Sequence, residues 1–145
     1  MILFSCEIEL TRNINCKMNK LIIDAAKDKI FLMIISNDIN YSITYENTKL
    51  NFEKLTLLIN EFLNDKNLNL ERISEIYVNR GPGSFAGIRN SLSIVKAFQL
   101  VNKIDYYCFS FDDFDAKNDI KYENIPKLCQ KLKVEKNLIN PIYLG

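Results

Sequence analysis

At 145 residues, with 48% hydrophobic side chains, 26% charged ones and a formal net charge of +1, the chain has the make-up of a soluble domain with a real core. A near-neutral balance argues against a broad electrostatic grip on nucleic acid, which needs a basic excess or a basic stripe. Histidine is absent, which removes His-based zinc sites, Ser–His–Asp and Cys–His nucleophiles and the usual neutral-pH general base.

Residues 1–17 carry Glu7 and Glu9 where a secretory signal would be uncharged, so they are read as neither signal peptide nor membrane span. They form an extension before the first strand, and Met18 is a natural start, so an early-called start is favoured over a mobile arm. Cys6, Cys16, Cys108 and Cys129 make no C-x-x-C pair and no disulfide ladder; they read as buried or incidental thiols of a reducing, cytoplasmic compartment.

Lys20 to Ala26 is a compact apolar run suited to a buried strand. Lys29 to Ser36 is a second, closed by the turn pair Asn37-Asp38, and Tyr41 to Tyr45 a third; the short connections imply an antiparallel meander. The period then changes. Phe52, Leu55, Leu58, Ile59, Phe62 and Leu63 recur at helical spacing, with Asn51 placed to cap and Glu53 in the first turn. Ile73 to Val78 reads as a strand, a Gly-Pro-Gly turn follows, and a helix runs from about Phe85 to Val101 with Phe85, Ile88, Leu92, Val95 and Phe98 on its apolar face. Ile104 to Phe109 is the fifth strand.

Three antiparallel strands followed by two right-handed strand–helix–strand crossovers make the mixed five-stranded α/β sheet of the ribonuclease H-like, or actin-like, fold. Beyond it, Ser110 and Asp113 have capping-box spacing for a short helix near 111–116. A polar stretch, 117–124, leads to a helical segment around 127–133 and an extended end, Pro141 to Gly145.

The most informative stretch is Asn79-Arg-Gly-Pro-Gly-Ser-Phe-Ala-Gly-Ile-Arg89. Pro82 and Gly83 suit the second and third positions of a type II turn, with positive φ at Gly83. Ser84 is placed to cap the next helix, and Gly87 allows a neighbour close to its first turn. Such a turn offers N–H groups to an anion, although many bind nothing. Arg80 and Arg89 bracket it, either to hold a phosphate or a partner carboxylate in a bidentate grip or as surface residues tied to carbonyls near the turn. Asp112, Asp113 and Asp115 suggest a cation site or, more simply, first-turn acids on a solvated face.

The whole string Arg80 to Arg89, with Ile76-Tyr-Val78 before it and an apolar helix after it, resembles the signature of the TsaB (YeaZ) family; the likeness covers 18 to about 110, with a faint echo at Pro141-Ile-Tyr-Leu144. The resemblance implies an actin-like first domain over 18–110, a second domain largely missing, and a short tail, 111–145, in its place. It implies a non-catalytic pseudo-enzyme that docks on a TsaD-like enzyme as a heterodimer, with a TsaE-like ATPase joining them, in threonylcarbamoyladenosine synthesis at position 37 of tRNA. The tRNA would be met only indirectly, and the chain alone would form a homodimer. No intrinsic cofactor is implied, with ATP or ADP placed at the partner joint.

In the family, docking uses the two helices, here about 52–65 and 84–101. Leu57, Leu63, Ile94, Ala97 and Val101 widen their apolar stripe, which suits either a partner or a wider contact within the domain. The glycine-turn residues carried over are Arg80, Gly81, Pro82, Gly83, Ser84, Phe85, Gly87 and Arg89. Where the family commonly follows its first strand with Asp-Thr-Ser or Asp-Thr-Ala, this chain has Asp24-Ala25-Ala26, which lacks the hydroxyls that face phosphates in actin-like folds. Asp24 is then structural or part of the subunit contact. The alternative reading is a nucleotide-binding or hydrolytic, peptidase-like enzyme of the same superfamily.

Overall fold

The computed structural model describes residues 19–37, 39–115 and 119–143. The expected extension over 1–17, the start at Met18, and Cys6, Cys16 and Leu144 lie outside them.

Five strands form one sheet: β1 (Asn19–Asp24), β2 (Lys29–Ser36), β3 (Ile39–Glu46), β4 (Ile73–Asn79) and β5 (Asp105–Phe109), in the spatial order β3-β2-β1-β4-β5. β1 pairs antiparallel with β2, and β2 with β3, while β1–β4 and β4–β5 are parallel. This is the predicted mixed sheet. β1 lies at its centre, so both its faces must be apolar: Leu21 and Ile23 point to one core and Ile22 to another. β3 lies at an edge and alternates, with Tyr41, Ile43 and Tyr45 turned to the core and exposed residues between them. Asn37, after β2, takes a φ of 52°, which asparagine tolerates in a turn.

One face of the sheet is covered by helices α1 (Lys49–Glu53), α2 (Leu55–Asp65) and α3 (Phe85–Asn102). Leu55, Ile59, Phe62, Leu63, Ile88, Leu92, Val95 and Phe98 fill that interface. The helical region starts earlier than its apolar spacing suggested. Thr48, not Asn51, is the cap: its hydroxyl accepts the Asn51 N–H at 3.1 Å, and the Asn51 side chain donates to the Glu46 carbonyl at 2.8 Å. Phe85 departs from the expected apolar face. It is 57% exposed and meets the Tyr143 ring at 4.7 Å.

The opposite face is closed by the segment after β5. Ser110 and Asp113 form the expected capping box around a 3-10 turn at Phe111–Asp113. A second 3-10 turn (Tyr122–Asn124) leads into α4 (Ile125–Lys131), with Pro126 in its first turn. Phe114, Ile125 and Cys129 pack on Ile22, Met33, Tyr77 and Phe109, and Phe31 stacks on Tyr122 at 4.0 Å. The chain then runs along the free edge of β5, where Asn137 N donates to the Tyr106 carbonyl at 2.8 Å and its side chain accepts the Tyr106 N–H at 3.0 Å. What the sequence suggested as a tail is therefore the second wall of the core.

Burial pushes the Cys108 and Cys129 thiols from 9.0 to about 12, for Cys108 against the opposing pull of the Asn140 backbone and Arg80. Burial also raises the hydroxyls of Tyr77, beside Glu75, and Tyr122, beside Asp24. The unfolded chain releases the two thiol protons earlier than the folded one, so the thiols' contribution to stability is full below pH 9.0 and is lost towards about 12. The urea midpoint is expected to stay level near neutral pH and fall above about pH 9, less steeply in Cys108→Ala/Cys129→Ala. A midpoint independent of pH through that window would contradict the burial of these groups.

Candidate functional site

The glycine turn sits where β4 ends and α3 begins. Asn79, buried at the end of β4, accepts the Gly81 N–H on its side-chain oxygen at 2.8 Å. Arg80 N donates to the Phe109 carbonyl at 2.7 Å and Ser84 N to the Ala26 carbonyl at 2.9 Å. Ser84 caps α3 as expected, its hydroxyl accepting the Gly87 N–H at 3.2 Å. Positive φ falls on Gly81, at 109°, and not on Gly83 as a type II turn would require; the Gly81–Pro82 peptide is cis. Gly83 and Gly87 are needed for a different reason: a Cβ on either would overlap the carbonyl oxygen of Ala26 or Ala25. Turn and β1–β2 loop thus lie backbone to backbone, and the N–H groups of Arg80, Gly81, Ser84 and Gly87 are bonded to the chain's own oxygens rather than offered to an anion.

Arg80 is tied to a carbonyl, but from a largely buried position rather than the surface, and it also holds a carboxylate of its own chain. Its guanidinium donates to the Asn140 carbonyl at 3.0 Å and to Asp113 at 2.8 Å, with the side chain only 16% exposed. It braces the glycine turn, the 3-10 turn and the C-terminal segment together, and Ile142 N completes the brace on the Arg80 carbonyl at 2.7 Å. Arg89 is exposed, with its guanidinium 5.9 Å from the Phe85 ring centre. The two arginines therefore do not converge as a phosphate clamp. Asp113 is engaged by Arg80 and by Ser110 N, and among the described residues no group of three or more acidic, Cys or His side chains is placed to hold a metal.

Asp24 is fully buried at the end of β1. One carboxylate oxygen accepts the Ala26 N–H at 3.1 Å and the other the Tyr122 hydroxyl at 2.6 Å. Lys27, in the same loop, sits 3.8 Å from the Phe111 ring centre. The strand end at which an actin-like fold would present polar groups to phosphates is closed here by the chain itself.

The helix face remains. Leu57 is 53% exposed and Val101 77%, and Ala97 is exposed, so these three stand free of the core. Ile94 is half-buried against it. Leu63 is a correction: it is wholly buried in the sheet–helix core and offers nothing to a partner, because the turn after α2 brings Leu68 N back to its carbonyl and folds Leu68 into the same cluster. Leu50, 63% exposed on α1, lies ahead of the expected helix start at about residue 52 and joins the exposed apolar side chains of this layer. Among the described residues no helix is long and apolar enough to cross a membrane.

Comparison with known proteins fits this geometry. Residues 46–110, from the end of β3 through the glycine turn to the end of β5, match the family described as TsaD, tRNA N6-adenosine threonylcarbamoyltransferase. No curated protein matches the chain. Among solved structures, YeaZ from Pseudomonas aeruginosa aligns at a TM-score of 0.59 and 18% identity, over 63% of this chain and 43% of that one. A second, an uncharacterized protein with similarity to peptidase YEAZ from Pseudomonas aeruginosa, gives the same values. The chain thus spans less than half the length of these structures, and the likeness is one of fold. The family match covers under half of the chain, and what is shared with the YeaZ structures is the fold.

Proposed function

We propose that the chain is a non-catalytic subunit that docks on a TsaD-type enzyme and supports threonylcarbamoyladenosine modification of tRNA, with helices α1 to α3 as the docking face. The observation that carries this reading is the contrast between the two ends of the site. Asp24, Asp113 and Arg80, the groups best placed for chemistry, are tied up in internal hydrogen bonds. Leu50, Leu57 and Val101, on the helix layer, are left largely in water. Burying such side chains against a partner is worth roughly 25 cal/mol per Å² before the costs of association.

The geometry selects the variants. Ala97 and Val101 are exposed, so a charge there leaves the fold intact, whereas Ile94→Asp would also disturb the core. Ala97→Glu and Val101→Glu are each expected to weaken binding to the same organism's TsaD-like protein at least about tenfold in calorimetry, with the urea midpoint unchanged. Undiminished affinity in both would exclude this face.

A TsaE-like ATPase joining the pair, ATP or ADP held at the joint, tRNA met only through the partner, and self-association of the free chain all belong to this proposal. The alternative, a nucleotide-binding or peptidase-like hydrolase, requires free polar groups at the strand ends. Calorimetry of the isolated chain with ATP and ADP separates the readings: no heat of binding is expected, and micromolar affinity would favour the alternative.

A further inference from the structure

A cleft of about 360 Å³ opens on the sheet face opposite the docking helices, between the first halves of β1 and β4, β5 and the α4 segment. It lies away from the glycine turn, which follows the other end of β4. The volume is that of a small-molecule site. Three lysines from separate places in the fold line it: Lys20 on β1, Lys127 on α4 and Lys133 just beyond α4.

Glu75 is the acidic residue of the lining, and it is already engaged. It accepts the Tyr77 hydroxyl at 3.1 Å and faces the Lys20 ammonium at 3.7 Å. Lys127 and Lys133 have no carboxylate within ion-pair distance among the described residues. Three ammonium groups against one carboxylate leave a local surplus of two positive charges in a chain whose net charge is only +1. One wall is the stacked pair Tyr77 and Tyr107, with ring centres 5.1 Å apart, so the cleft joins an apolar surface to a cationic rim.

We infer that this cleft binds a small organic phosphate, the phosphate held by Lys127 and Lys133 with Lys20 behind them and the organic part against Tyr107. A phosphate monoester carries about −1.5 to −2 charges at neutral pH, which matches the surplus. Lysine suits it as a mobile point charge, where a planar carboxylate would favour an arginine fork. The site is independent of the docking face, so either can fail without the other.

The test is a titration of the full chain with inorganic phosphate, glycerol 3-phosphate and succinate, followed by amide chemical shifts. Glycerol 3-phosphate is expected to saturate at millimolar concentration or below, to shift amides in β1, β4 and α4, and to bind more tightly than inorganic phosphate, which lacks the organic part. Lys127→Gln and Lys133→Gln, both at exposed positions, should each weaken it about tenfold. Lys131→Gln, on the same helix but outside the cleft, should change it less than about twofold. Shifts that do not saturate, that scatter over the surface lysines, or that weaken equally in Lys131→Gln would overturn the site. Equal affinity for succinate would overturn its assignment to phosphate.

Discussion

A chain ended after Ser110 is expected to lose its cooperative unfolding transition and to bind a hydrophobic dye, although it keeps all five strands and the three helices of the proposed docking face. The reason is the second core. Ile22 and Phe109, wholly buried, and Met33, at 8% exposure, are covered on that face by Phe114, Ile125 and Cys129 from the segment beyond residue 110. Re-exposing a buried side chain of this size costs roughly 1.5–3 kcal/mol, so these three alone amount to about 5–9 kcal/mol. That is comparable with the whole stability of a typical domain, about 5–15 kcal/mol. The free edge of β5 would be uncovered as well, which invites strand pairing between molecules. Urea unfolding followed by circular dichroism decides the matter. A truncated chain with the full chain's midpoint and slope would show that residues 111–143 are dispensable to the fold.

Gly87→Ala is the second change with a large expected effect, a loss of about 2–3 kcal/mol for a single added methyl. An alanine is ordinarily better than glycine inside a helix by about 1 kcal/mol, so propensity predicts the opposite sign. Contact decides against propensity here. The new Cβ would overlap the carbonyl oxygen of Ala25, a backbone atom of a wholly buried residue, and would press the Phe52 ring on α1 at 3.0 Å. Neither can swing aside as a flexible side chain would, so the β1–β2 loop must separate from α3. A fall in the thermal midpoint of several degrees is expected for a domain of this size. An unchanged or raised midpoint would mean that turn and loop are not packed backbone to backbone.

The sheet was legible because its strands differ in what they must bury. β2 begins and ends at the expected residues, Lys29 and Ser36, since a strand with two covered faces reads as a continuous apolar run. The glycine turn was legible as a turn but not in its dihedrals. Whether Gly81 or Gly83 takes positive φ depends on where Ile142 and Ala26 lie, and those contacts come from segments about 60 residues away. The same long-range ordering hid the role of Arg80, whose partners Asp113 and Asn140 are remote in sequence. Leu63 was misplaced for a local reason: on a short helix, apolar spacing alone does not distinguish a residue at the edge of the buried stripe from one beyond it. The segment after Phe109 was hardest to read, because its anchors Phe111, Phe114, Tyr122, Ile125 and Cys129 follow no single period.

Docking on a TsaD-type enzyme is the central claim, and co-expression with the same organism's TsaD-like protein, followed by size-exclusion chromatography with mass detection, tests it most directly. A one-to-one complex is the predicted result, lost in Ala97→Glu while each protein remains folded. Separate elution at low and moderate salt, with and without ATP, would contradict the claim and leave a TsaB-like fold without the proposed partner.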